Sequence, residues 1–156
     1  MPAEEGERCV GKKNKFINFA KIVKKLMTQE EHIKYWSDAS DYDMRVASDM
    51  LKTGHYLYVG FLCHQATEKL LKAYWCKVRD LTPLKIHTLT RLATLTGLWE
   101  EMDETQKMEL GILEPLNIAC RYPDYKSDLA RMLNKERSTA LIKRTLQLQT
   151  WIKEQF

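Results

Sequence analysis

The chain has 156 residues, of which 44% are hydrophobic and 29% charged, with 25 Lys and Arg against 21 Asp and Glu. That length holds one domain with a real core and leaves no room for a second. With only 6 Gly and 4 Pro, and no run near the ~18 apolar residues of a membrane span, the composition excludes a collagen-like, disordered or transmembrane protein.

The charge is concentrated at the start. Residues 1–25 hold seven basic side chains (Arg8, Lys12, Lys13, Lys15, Lys21, Lys24, Lys25) and three acidic ones (Glu4, Glu5, Glu7), so this stretch carries the entire net charge of +4. Phe16, Phe19, Val23 and Leu26 fall at helical spacing between the lysines, which makes residues 1–28 a basic amphipathic extension ahead of a body at 29–156. Such an arm suits RNA, anionic lipid or a partner, but a packed or partly disordered extension with a solvated lysine face is the favoured expectation. No apolar stretch of about 7 to 15 residues follows the basic ones, so a secretory signal is not expected and the protein is read as cytoplasmic. Cys9, Cys63, Cys76 and Cys120 form no Cys-x-x-Cys pair, and His32, His55, His64 and His87 form no His-Glu-x-x-His pattern. Reduced cysteines and no metal site are the expectation.

From Gln29 onward the periodicity is helical, without strand-like alternation. Over residues 30–53, Trp36, Ala39, Val46, Ala47, Met50 and Leu51 share one broad face and Gly54 ends the helix. Asp43 lies within that face. A carboxylate there needs a partner, Lys69, His64 or Arg121, since an unpaired buried charge costs several kcal/mol. The segment 55–79 is apolar nearly all round except for a stripe of Gln65, Glu68, Lys69, Lys72 and Arg79, for which solvent is the expected neighbour. A loop at Thr82-Pro83 leads into a short helix ended by Gly97, with Leu89 and Leu92 inward. A helix capped by Asp103 meets Pro115, which predicts a kink. It ends before Pro123, and a last helix from about Asn134 places Leu141, Thr145, Leu148 and Ile152 on one stripe. The expected fold is all-α, a four- to five-helix up-and-down antiparallel bundle.

Four stretches carry a resemblance. Tyr35-Trp36-x-x-Ala39 followed by Asp43-Met44-x-x-Ala47-x-x-Met50-Leu51-x-x-Gly54-x-Tyr56, then His64-Gln65-Ala66-x-Glu68-Lys69-x-Leu71-Lys72-Ala73, His87-x-Leu89, and Ala119-x-Arg121-Tyr122-Pro123-Asp124 occur in that order. Together they resemble the HEPN family, a nucleotide-binding helical domain of higher eukaryotes and prokaryotes, over about residues 30–150. The resemblance implies a five-helix bundle, usually a homodimer, in a family of RNA-cleaving toxins, partners of minimal nucleotidyltransferases in toxin-antitoxin pairs, and nucleotide binders without known catalysis. The family's ribonuclease motif is an arginine followed four to six residues later by a histidine; after Arg121 those positions hold Tyr125, Lys126 and Ser127. Imidazole suits metal-free RNA cleavage because its unperturbed pKa lies near neutrality, whereas an ammonium is a poor base.

The resulting expectation is a cleft that binds a nucleotide or RNA phosphate through Lys69, Lys72, His87 and Arg121, with Tyr122 supplying a ring. Asp43, His64 and Glu68 are expected as buried structural polar groups. No catalytic residue, metal or cofactor is assigned. A ribonuclease with a displaced histidine and a non-catalytic dimerising module stand as alternatives.

Overall fold

Thr28 starts the first helix by a reciprocal pair of bonds: its hydroxyl accepts the Glu31 N–H, and the Glu31 carboxylate accepts the Thr28 N–H. Two donors that a helix start would leave unpaired are thereby satisfied. The computed structural model describes residues 27–79, 82–119, 121, 122, 128 and 131–156. The basic arm up to residue 26, Cys9, Cys120, Lys126 and the stretch after Tyr122 therefore lie outside the described residues.

Helix α1 spans Gln29–Lys52 and is stopped by Gly54, whose φ of +79° suits a residue without a Cβ. Helix α2, Tyr56–Val78, turns back along it. The Gln29 amide donates to the carbonyls of Cys76 and Lys77, and the Ser40 hydroxyl donates to that of Ala66. The seam of α1 differs slightly from the wheel: Ser40, Asp43, Met44 and Ala47 are buried, while Ala39 and Val46 are only half-buried. Ser40 sits inside because its hydroxyl finds the Ala66 carbonyl, and small Ala66 and Ala47 let the two helices approach closely.

Helix α2 is the axis of the molecule, with Val59, Cys63, Ala66, Leu70, Leu71 and Ala73 fully enclosed. Around it lie α3 (Leu89–Thr96), the single turn α4 (Leu98–Glu101), α5 (Glu104–Leu113), the single turn α6 (Leu116–Ala119) and α7 (Lys135–Glu154). Gly97, at φ +84°, separates α3 from α4. An Asp103–Gln106 capping box opens α5, and the Asn134 side chain accepts the Arg137 N–H to open α7. At Pro115 the structure has a full break between α5 and α6 rather than a bend, because proline has no N–H for the turn before it. Leu89, Leu92, Leu98, Leu110, Leu113, Leu141, Leu148 and Ile152 close the core against α2. Each such side chain contributes about 1.5–3 kcal/mol by leaving water. Among the described residues there is no strand, and no helix is long and apolar enough to cross a membrane. Cys63 and Cys76 are buried free thiols.

Candidate functional site

Phe61, Gln65, Glu68 and Lys72 follow one another at spacings of four, three and four along α2 and so share one of its faces. Of the stripe expected to meet solvent, Arg79 is exposed, Gln65 and Lys69 are half-buried, and Glu68 and Lys72 are buried under other segments. The Glu68 carboxylate accepts from Lys72 Nζ at 2.6 Å, and His87 Nδ1 lies 3.1 Å from each of its oxygens. Glu68 and Lys72 are both buried, which is tolerated because each charge meets the other and Lys72 also stands 5.4 Å over the Trp36 ring. Gln65 donates to the Asn117 side-chain oxygen at 3.2 Å, and one turn further back the Arg121 guanidinium stands 5.9 Å over Phe61. His87 turns Nδ1 to the Glu68 carboxylate, and its side chain is 58% exposed.

The start of α3 is capped from a distance. Thr88, at the cap position, makes no side-chain capping bond. The Glu114 carboxylate instead accepts the Leu89 N–H at 3.0 Å, the Thr90 N–H at 3.2 Å and the Thr90 hydroxyl at 2.9 Å. Glu114 ends α5, where the helix dipole disfavours a negative charge, and the positive end of α3 offsets that. Between these elements opens a cleft of about 580 Å3 lined by His87, Thr88, Thr90, Glu114 and Asn117, with Gly111 leaving room on one side.

His64 is enclosed completely and neither ring nitrogen forms a well-aligned hydrogen bond; Nδ1 is 3.9 Å from Glu68. Burial lowers its pKa below the ordinary 6.5, against the opposing pull of Glu68 and, more weakly, Glu114 and the backbone of His87. The imidazole is therefore neutral at physiological pH.

A family model described as HEPN domain matches residues 33–155. The chain belongs to the HEPN family. No curated protein and no solved structure matches it. In this HEPN domain the residues singled out by sequence divide into groups. Lys72 and His87 converge through Glu68. Arg121 stands on Phe61, seven residues back along α2, which is about 10 Å at 1.5 Å per residue, and exposed Tyr122 follows it. Lys69 points elsewhere, toward α1, where it bonds Asp43 at 2.6 Å. Glu114, Asn117 and Thr90 escaped the sequence reading. One signal existed for Glu114: an acidic residue at the end of a helix and directly before proline has no favourable partner in its own helix.

Two features stand apart from the cleft. A groove of about 520 Å3, with Ile112, Leu116, Leu133 and Leu141 among its walls and Arg137 and Arg144 beside them, contains none of the candidate site residues. Burial also pushes the Cys63 thiol up to about 12, only partly offset by the nearby Thr145 hydroxyl. Among the described residues no group of three or more His, Cys, Asp or Glu could hold a metal ion.

Proposed function

We propose that this HEPN domain binds a nucleotide or an RNA phosphate in the cleft between His87, the start of α3 and the α5–α6 corner. The observation that carries the reading is His87, anchored through Nδ1 to buried Glu68 while its side chain, 58% exposed, lines the cleft. Held through Nδ1, the ring offers its other nitrogen as a hydrogen-bonding atom for a phosphate oxygen. Arg121, about 10 Å along the same helix face, supplies a cation at a distance that separates two parts of one ligand. Tyr122 beside it offers a ring on which a base can stack. Lys72 acts indirectly, by holding Glu68 in place. Pairing with a second copy of the chain or with a minimal nucleotidyltransferase belongs to the same reading, drawn from the family.

Thermal-shift screening of the full chain against inorganic phosphate, AMP, ATP and short single-stranded RNA tests it. A ligand at 100 times its Kd adds about 2.7 kcal/mol to stability, and His87→Ala or Arg121→Ala weakens binding by about 1.5–3 kcal/mol, the scale of one charge-assisted hydrogen bond. No shift with any of these ligands overturns the reading.

The His87–Glu68 pair also favours one alternative, the ribonuclease with a displaced histidine, because an imidazole oriented by a carboxylate is the arrangement of a general base. Without a histidine after Arg121, the expected result is little or no metal-independent RNA cleavage. Robust cleavage that is lost in His87→Ala replaces binding with catalysis as the function.

A further inference from the structure

We propose that Asn117 reads the nucleobase of the ligand: its amide nitrogen donates a hydrogen bond to an acceptor atom on the edge of the base, while the phosphate stays with His87 and Arg121. The inference rests on the reading of the cleft as a nucleotide or RNA site and adds which part of the ligand goes where.

Three groups meet one face of α2 in a fixed order. His87 meets it at Glu68, Asn117 at Gln65 and Arg121 at Phe61. Those helix positions are three and four residues apart, about 4.5 and 6 Å at 1.5 Å per residue. Asn117 therefore stands between the two groups assigned to phosphate, within reach of a base whose phosphate rests on either of them. It lines the cleft, and only 9% of its surface is exposed. Its side-chain oxygen accepts from Gln65 Nε2 at 3.2 Å, and its nitrogen, with two N–H donors, bonds none of the described residues. Gln65 fixes which end serves the ligand, because an amide turned the other way would set two NH2 groups against each other. An amide so held, with donors to spare, suits the ring nitrogens and carbonyls of a base.

The charges around the cleft favour the same placement. The described residues that line it include the Glu114 carboxylate and no lysine or arginine. A phosphate driven inside would meet a like charge, whereas an uncharged base does not. Ile118, 49% exposed in the same wall, gives the base an apolar surface to lie on. The phosphate is left to His87 and Arg121, both exposed, and in an RNA strand Tyr122 is left to a neighbouring base.

Calorimetric titration of the full chain with AMP, GMP, CMP, UMP and ribose 5-phosphate tests the placement, since ribose 5-phosphate keeps the sugar and the phosphate and lacks the base. The best-bound nucleotide is expected to exceed ribose 5-phosphate by about tenfold or more, from the base's hydrogen bond and its apolar contact together. Asn117→Leu should remove about three- to tenfold of that advantage, the equivalent of one hydrogen bond between uncharged groups, and leave ribose 5-phosphate bound as before. Asn117→Asp keeps an acceptor for Gln65 and loses the donor. Its ratio of nucleotide to ribose 5-phosphate affinity should fall in the same way, which tests the contact even if Asn117→Leu melts too low to titrate. A wild type that binds ribose 5-phosphate as tightly as the nucleotides, a base advantage that survives in the variants, or a loss shared equally by ribose 5-phosphate overturns the base-reading role and leaves the cleft reading standing. Absence of binding of every nucleotide, ribose 5-phosphate and inorganic phosphate to the wild type overturns both.

Discussion

A carboxylate inside an apolar helix seam is stable only when an opposite charge reaches it, and Lys69 reaches Asp43 at 2.6 Å. The two ends of this pair are unequal, for the Lys69 side chain is 27% exposed and that of Asp43 only 9%. Removing the lysine strands a charge that has no route to water, whereas removing the carboxylate leaves an ammonium that can swing outward. Lys69→Met is therefore expected to cost about 3 kcal/mol and Asp43→Asn about half as much, measured by urea unfolding. The opposite order would show that the ammonium is the trapped partner. His64 gives a pH signature whose sign follows from its lowered pKa. The unfolded chain takes up a proton near 6.5 while the folded one still resists, so stability is fully present above that pH and falls as the pH drops from 6.5 toward the lower folded value. His64→Leu should flatten this slope at little cost, because no well-aligned hydrogen bond is lost. Cys63, held as the neutral thiol by burial, should resist iodoacetamide at pH 8 until the protein is unfolded, as peptide-resolved mass spectrometry would show.

Helix lengths and stops followed from local chemistry that a sequence displays: Gly54 and Gly97 in the left-handed region, the Asp103 capping box and the Asn134 cap. The inward stripe of α7, Leu141, Thr145, Leu148 and Ile152, was equally legible, since one helical period fixes all four. What stayed hidden is the pairing between elements. Nothing local indicates that Glu68 meets His87 or that Glu114 caps a helix 24 residues away, because such contacts depend on how the loops return the chain. The stripe on α2 was visible as a stripe, but whether water or another segment covers it is decided by the tertiary packing alone. Gly111 tests the cleft at this scale. It lies inside α5, lines the cleft, and a Cβ placed there meets nothing within 4 Å. Gly111→Ala should raise stability by about 0.5–1 kcal/mol, since alanine loses less backbone freedom on folding. It should also weaken ligand binding by filling part of the cleft, so a rise in Tm with lower affinity is the expected pair of results.

At the level of the whole molecule the charge is divided: residues 26–156 sum to zero and the first 25 hold the entire excess of +4. If both the arm and the cleft contact RNA, their contributions separate by salt. Deleting residues 1–25 should remove the strongly salt-dependent part of RNA association and leave the binding of a mononucleotide unchanged. A fall in melting temperature on deletion would instead show that the arm packs against the bundle. The enclosure of α2 has a consequence of another kind, in time. At its middle turns Cys63, Ala66 and Leu70 have no exposed surface, so their amide protons can exchange with deuterated water only when the entire bundle opens. The Leu89 and Thr90 amides are guarded by a single carboxylate at the rim of a cleft, and one local movement frees them. Exchange at α2 therefore measures global stability, while exchange at the start of α3 runs on a faster clock of its own, which only a ligand in the cleft would slow.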